Sequence, residues 1–201
     1  MVERTRLELS SGLLREFSGN RFPYFAAGEW RSDGDQLDVR SPIDLNVIAV
    51  ALRPSAEQAL GVLDRVYSIG RRKVRDMPGE RRLEVFERAA ELLSEIKDDL
   101  VNVLVLNAGK TPRAAEGEVE ASIERLRLAH LDVRKIVGDY VPGDWSKDTL
   151  ETEAIVKREP LGVVFAILPF NYPLFDAVNK VVYSAVAGNA VMVKPAEADP
   201  L

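Results

Sequence analysis

Apolar and polar positions follow three rhythms along this chain. Up to residue 54 the apolar blocks are short: Leu37-Asp38-Val39-Arg40 alternates like a half-buried strand, and 47–52 is an apolar run closed by Pro54. From 55 to 136 apolar residues recur at helical spacing. After 159 two short apolar runs, 163–168 and 190–193, flank one further amphipathic segment that ends near Gly188. Short strands, then helices, then a strand–helix–strand unit predict an α/β chain in which a helical preface leads into a sheet.

Taken in order, 1–27 is weakly amphipathic (Leu7, Leu9, Leu13, Leu14, Phe17). Ala26-Ala27-Gly28-Glu29-Trp30-Arg31 reads as a tight turn entering a strand, and Ser32-Asp33-Gly34-Asp35 as a second turn. Ser55 with Gln58 three positions on is a capping-box pattern, and Ala59, Leu60, Val62, Leu63 and Val66 continue at helical spacing. Arg71-Arg72-Lys73 is expected just beyond the end of that helix, where cations satisfy its dipole. Pro78 opens a long amphipathic helix (Leu83 to Ile96), followed by a more apolar one over 98–106 with Gly109 as its left-handed cap. A third long helix is predicted over 114–136. The 138–145 link is rich in turn residues, and 139–141 with 151–157 makes a two-stranded arm that needs something to pack against.

Composition narrows the chemistry. Of 201 residues 46% are apolar, enough for a sizeable core, and 27 basic against 32 acidic residues leave a net charge of −5. The charges are interspersed, which argues against general nucleic-acid binding. There is no cysteine, so disulfides, Cys-ligated zinc and a cysteine nucleophile are excluded within this chain, and His130 stands alone. The N-terminal Met-Val-Glu-Arg-Thr-Arg shows no secretory pattern and no apolar run approaches a membrane span, so a cytoplasmic protein is expected. Gly109-Lys110-Thr111 looks like the tail of a phosphate loop, but the upstream glycine is missing and a helix precedes it, so that reading fails.

The chemistry-bearing residues cluster near the carboxyl end. Asn171 lies just past the 163–168 strand in a turn stiffened by Pro169 and Pro173, and Lys194 just past 190–193. Ligands of open parallel sheets bind at the carboxyl ends of strands. Asn171 is there either as a turn stabiliser or as a donor to a ligand, and Lys194 either as a solvated strand-end cation or as a ligand contact.

Glu159-Pro-Leu-Gly-Val-Val, Pro169-Phe-Asn-Tyr-Pro, Lys180 and Ala187-Gly-Asn-Ala-Val-Met-Val-Lys-Pro-Ala-Glu together resemble the aldehyde dehydrogenase superfamily. Ser41-Pro42, Val47 to Val50, Glu80-Arg81-Arg82 and Asn107-Ala-Gly-Lys extend the resemblance over nearly the whole chain. With Gly138-Asp-Tyr-Val-Pro-Gly-Asp-Trp it is most similar to the archaeal type of non-phosphorylating glyceraldehyde-3-phosphate dehydrogenase. The resemblance implies the amino-terminal part of the aldehyde dehydrogenase fold: 1–138 and 159–201 from the dinucleotide-binding domain and 139–158 a protruding oligomerisation arm. It implies oxidation of an aldehyde, glyceraldehyde 3-phosphate or a relative of it, by NAD or NADP through a cysteine thiohemiacetal, an activity that belongs to glycolysis.

Residue by residue, the resemblance makes Asn171 an amide donor to the oxyanion. Backbone contacts to the cofactor fall on Ile167, Leu168, Pro169 and Phe170, while Lys194 and Glu197 clamp the adenosine ribose. A carboxylate at 197 disfavours a 2′-phosphate, which favours NAD or dual use. Tyr172 either orients substrate or is a buried core aromatic. Arg134 either reaches a substrate phosphate or is a solvated helix charge, and Lys180 lies near the proton network. The family's cysteine, general-base glutamate and nicotinamide loop match nothing up to residue 201. This chain alone is therefore expected to be inactive and to bind dinucleotide weakly, with a missing carboxyl-terminal half or other subunits, including further copies of itself, as partners. A non-catalytic nucleotide-binding or subunit-interaction protein is the alternative.

Overall fold

The computed structural model describes residues 7–201. A 3-10 segment (Gly12–Asn20) leads into β1 (Arg21–Phe22), β2 (Tyr24–Ala26), β3 (Glu29–Arg31), β4 (Asp35–Arg40) and β5 (Val47–Arg53). β5 is central, with β1 parallel on one side and β4 antiparallel on the other. β2 and β3 form a hairpin whose turn residues, Ala27 and Gly28, have φ of 52° and 96°, as a tight two-residue connection requires. Phe17 stacks on Phe22 and meets Trp30 edge-on. Leu7, Val39, Ile48, Ala49 and Ala51 share a small core with Leu106 from a later helix.

The capping box holds as expected: the Ser55 hydroxyl accepts from the Gln58 amide at 3.2 Å, and Gln58 Oε1 accepts from the Ser55 amide at 2.7 Å. That helix, α1 (Ala56–Arg65), does not stop before the Arg71 cluster. A π turn (Val66–Gly70) carries it into α2 (Arg71–Asp76), so Arg71, Arg72 and Lys73 sit inside a continuing helix, not beyond its end. The backbone bond from the Arg71 amide to the Val66 carbonyl keeps the chain helical across the join.

α3 (Gly79–Glu95) and α4 (Lys97–Ala108) follow, and α4 ends at Gly109 with φ of 67°, the expected left-handed cap. The predicted third long helix is broken. α5 (Pro112–Arg127) gives way to a 3-10 turn (Leu128–Asp132) and a short α6 (Val133–Ile136). The break serves the interior: Ala129 enters the core, and the buried Asp132 accepts from Arg125 at 2.5 Å and Lys135 at 2.9 Å.

The arm forms as predicted, β6 (Asp139–Pro142) against β7 (Glu153–Val156), antiparallel, with Tyr140, Val141, Ile155 and Val156 exposed. The last unit is β8 (Val163–Ile167), α7 (Pro173–Val186) and β9 (Ala190–Lys194), with β8 and β9 parallel and Ile167 beside Lys194. The main core joins Phe86 and Ala90 of α3, Leu104 of α4, Ala115, Val119, Ile123 and Leu126 of α5, and Val182 and Val186 of α7. α7 thus carries the strand–helix–strand unit on the helical layer. No described helix is long and apolar enough to cross a membrane, and no group of metal-binding side chains forms among the described residues.

Candidate active site

The turn after β8 is set by its sequence. Leu168 extends the pairing, its amide donating to the Lys194 carbonyl at 3.0 Å, and is buried. Pro169 interrupts the ladder because it has no N–H. Phe170, Asn171 and Tyr172 then emerge to the surface before Pro173 begins α7. Pro at the first helical position has no amide to satisfy, but the next two amides do. Tyr172 occupies the cap position and supplies no side-chain bond to them.

The missing cap comes from α5. Glu118 Oε1 accepts from the Leu174 amide at 2.9 Å and the Phe175 amide at 3.1 Å, and its side chain is fully buried. An anion there also complements the helix dipole. Lys110, following the left-handed Gly109, turns inward to ion-pair with Glu118 Oε2 at 2.5 Å, and its ammonium lies 4.1 Å from the centre of the Tyr172 ring. Asp199 is buried beside this pair without a hydrogen-bond partner for either oxygen. Burial first, and then the negative charge of Glu118, push its carboxyl up to about 6.

The other end of α7 is also held by a charged side chain. Arg82 Nη1 of α3 donates to the carbonyls of Val186 at 2.8 Å and Ala185 at 3.3 Å. Gly188, with φ of 90°, follows, and a Cβ there would stand 2.9 Å from that same nitrogen. Asn189 ties the starts of the two strands, accepting from the Gly162 amide at 2.8 Å and donating to the Ser184 carbonyl at 3.1 Å.

Most of the sequence-predicted site residues meet at one end of the β8–β9 sheet. Ile167, Pro169, Phe170, Asn171, Lys194 and Glu197 are exposed there, and Leu168 lies beneath them. Lys194 is the last residue of β9, not one beyond it, and its ammonium donates to the Pro195 carbonyl at 3.2 Å. It does not pair with Glu197. Tyr172 is 51% exposed, which removes its reading as a buried core aromatic. Lys180 is on α7, paired with Asp176 at 3.3 Å one turn earlier. Arg134 is exposed on α6, and no bond connects it with the Asn171 turn. Two surface hollows, of about 430 and 380 Å³, are lined by none of these residues.

Sequence reasoning passed over Glu118 and Asp199, and named Arg82, Lys110 and Asn189 only within motif stretches, without these roles. One signal was available: Glu118 falls on the α5 stripe that also carries Ala115, Val119, Ser122, Ile123 and Leu126, all buried. A carboxylate on such a stripe must find buried partners.

The parallel β8–β9 pair, its flanking turn and the layered helices define an α/β architecture, and comparison with known proteins makes it particular. The profile of the Aldehyde dehydrogenase family matches residues 30–201, and the chain belongs to that family. It is 31% identical over 177 residues to the lactaldehyde dehydrogenase of Methanocaldococcus jannaschii, covering 88% of this chain and 36% of that protein. It is 30% identical over 179 residues to the D-glyceraldehyde dehydrogenase (NADP(+)) of Picrophilus torridus, covering 87% of this chain and 35% of that protein.

Among solved structures, aldehyde dehydrogenase 21 of Physcomitrella patens, in complex with the reaction product succinate, superposes with a TM-score of 0.85 at 25% identity over 90% of this chain and 38% of that one. The glyceraldehyde-3-phosphate dehydrogenase GapN of Methanocaldococcus jannaschii, complexed with NADP, gives 0.76 at 28% identity over 84% and 36%. The fold is therefore the amino-terminal part of the aldehyde dehydrogenase fold, and the chain spans little more than a third of the length of these relatives.

Proposed function

We propose that this chain supplies the amide that faces the aldehyde, and the adenosine-ribose side of the cofactor site, in an NAD(P)-dependent aldehyde oxidation. The observation that carries the reading is the exposure of Asn171 on a turn fixed between two prolines, at the same sheet end where Ile167 and Lys194 lie side by side. A fixed amide aimed at a developing oxyanion lowers the barrier of carbonyl addition. The nucleophilic cysteine has to come from elsewhere, because this chain contains none.

The side chains present fit one half of a dinucleotide. Lys194 presents an exposed cation for ribose oxygens, Glu197 an exposed carboxylate for ribose hydroxyls, and Ile167 and Phe170 an apolar surface beside them. When bound, the cofactor supplies the hydride acceptor. Glu197 disfavours a 2′-phosphate, whereas the Picrophilus relative is named for NADP(+) and the Methanocaldococcus GapN structure is complexed with NADP, so NAD and NADP both belong in the assay. Glyceraldehyde 3-phosphate and glyceraldehyde are the substrates to test first. In this reading 1–138 and 159–201 serve the dinucleotide-binding domain, and 139–158 is a subunit-contact arm. Exposed Tyr140, Val141, Ile155 and Val156 support a partner surface there, another copy included.

The test mixes this chain with a separately produced polypeptide equivalent to the remainder of its relatives. Aldehyde-dependent NAD(P)H formation is expected only in the mixture, falling about 10²–10³-fold with Asn171→Ala. A stable complex without activity, or full activity in Asn171→Ala, sinks the proposal.

A further inference from the structure

We propose that Glu118, braced by Lys110, is the positioning residue of the Asn171 turn. The inference deepens the reading above, since it matters for catalysis only if Asn171 faces the aldehyde, but its physical content is independent of that. The two prolines stiffen the turn, but it offers no local acceptor for the first free amides of α7, because Tyr172 gives no side-chain cap. Two backbone donors, Leu174 and Phe175, converge on a single carboxylate oxygen from a different helix. That oxygen belongs to a fully buried side chain, so water does not compete for it. The amides lie three and four residues after Asn171, close enough that their position sets the direction in which the turn leaves the sheet.

Lys110 makes the arrangement specific. A buried lone carboxylate is costly, and the ammonium offsets that cost while lying over the Tyr172 ring, adjacent in sequence to Asn171. Gly109 enables this approach. Its left-handed φ of 67° swings Lys110 inward, and a Cβ at 109 would fall 2.8 Å from Pro42 Cγ. The Asn107-Ala-Gly-Lys stretch, which fails as a phosphate loop, thereby becomes the brace behind the proposed oxyanion donor. The fixed elements are the α5 backbone and the Gly109 corner, and the positioned one is the turn carrying Asn171.

Amide hydrogen exchange and ¹⁵N-resolved NMR on the full 201-residue chain test this without aldehyde, cofactor or partner. Glu118→Ala is expected to speed exchange at Leu174 and Phe175 by about 10- to 100-fold, the effect of losing bonds to a charged acceptor. The Asn171 side-chain NH₂ signals should shift or broaden, while exchange at Phe86 in the core stays as in the parent chain. Glu118→Gln keeps one accepting oxygen and is expected to restore most of the protection.

Wild-type exchange at 174 and 175 together with an unmoved Asn171 signal in Glu118→Ala overturns the proposal, as does failure of Glu118→Gln to restore protection. Should Glu118→Ala not fold, Lys110→Met decides. It leaves the carboxylate but removes the brace, and unchanged exchange at 174 and 175 with an unchanged Asn171 signal would be the contrary result. Failure of the catalytic reading shows differently: in the reconstituted enzyme Asn171→Ala would retain activity even though the tether is intact.

Discussion

The two faces of the β8–β9 sheet are treated unequally. On one, Ala166 and Leu168 are 4% and 7% exposed, and α7 joins the pair of strands to the helical core. On the other, Phe165 and Ile167 are 57% and 62% exposed. Parallel strands are normally covered on both sides. The contrast shows how a third of a family fold divides its work: the covered face is locked by packing and by charged side chains at both ends of α7. The open face and the strand ends keep the apolar surface and polar groups on which a ligand or further polypeptide would act.

Mutations should separate the two faces sharply. Phe86→Ala removes a large side chain from the core beneath α7 and should cost about 3–5 kcal/mol, measured by urea unfolding. A loss below that of an ordinary surface substitution would mean that the covered side is not the stabilising one. Gly188→Ala should cost about 1–3 kcal/mol. It forces an L residue into a φ of 90° and pushes a Cβ toward Arg82, loosening the carboxyl-end clamp.

The pH dependence probes the buried cluster behind the Asn171 turn. Asp199 is raised from its ordinary 3.8 to about 6, so the folded state holds a proton that the unfolded state releases earlier. Its contribution to stability is fully present below about pH 4 and is lost as pH rises through about 6. Asp132 and Asp99 act in the opposite sense. Burial raises each carboxyl, but Lys135 and Arg125 around Asp132, and Ser10 and Ser11 around Asp99, outweigh it and leave both below the ordinary value. Their contributions are present above the ordinary carboxylate range and lost as pH falls below it. Denaturation midpoints should therefore decline between pH 4 and 6.5 in the parent chain, and Asp199→Asn should flatten that decline without touching the acid limb. An unchanged slope in Asp199→Asn would remove Asp199 from the account.

The smallest effect belongs to the open face. Phe165→Ser should change the stability of this chain by no more than about 0.5 kcal/mol. The same variant should weaken association with the complementary polypeptide. Strong destabilisation of the isolated chain would show that Phe165 is covered after all and would erase the contrast.

Much of this was legible in the pattern of residues. The Ser55 capping box and the left-handed Gly109 follow from neighbours within a few positions, and the strand–helix–strand unit and the two-stranded arm from the order and spacing of their apolar runs. The places of Asn171 and Lys194 followed from the rule that parallel strands present their carboxyl ends to ligands, whereas Ile167 and Glu197 came from the family resemblance alone. The length of α5 was not legible. The 114–136 segment keeps its helical period through a break whose cause, the burial of Ala129 and the pairing of Asp132 with Arg125 and Lys135, lies in three dimensions. The helix expected to end before Arg71 instead runs on, since a π turn absorbs the change without any residue that signals it.

By itself the sequence determined the order of the elements, the stiff Pro169–Pro173 turn that presents Asn171, and the family resemblance carried by those residues. The tertiary structure alone decided what holds that turn in place. Glu118 lies more than fifty positions from the amides it caps, Lys110 reaches it from another helix end, and Arg82 closes the far end of α7 from α3. Local periodicity carries no information about such partners. A buried charge is tolerated only where distant backbone and side chains converge on it, and that convergence exists only in the folded chain.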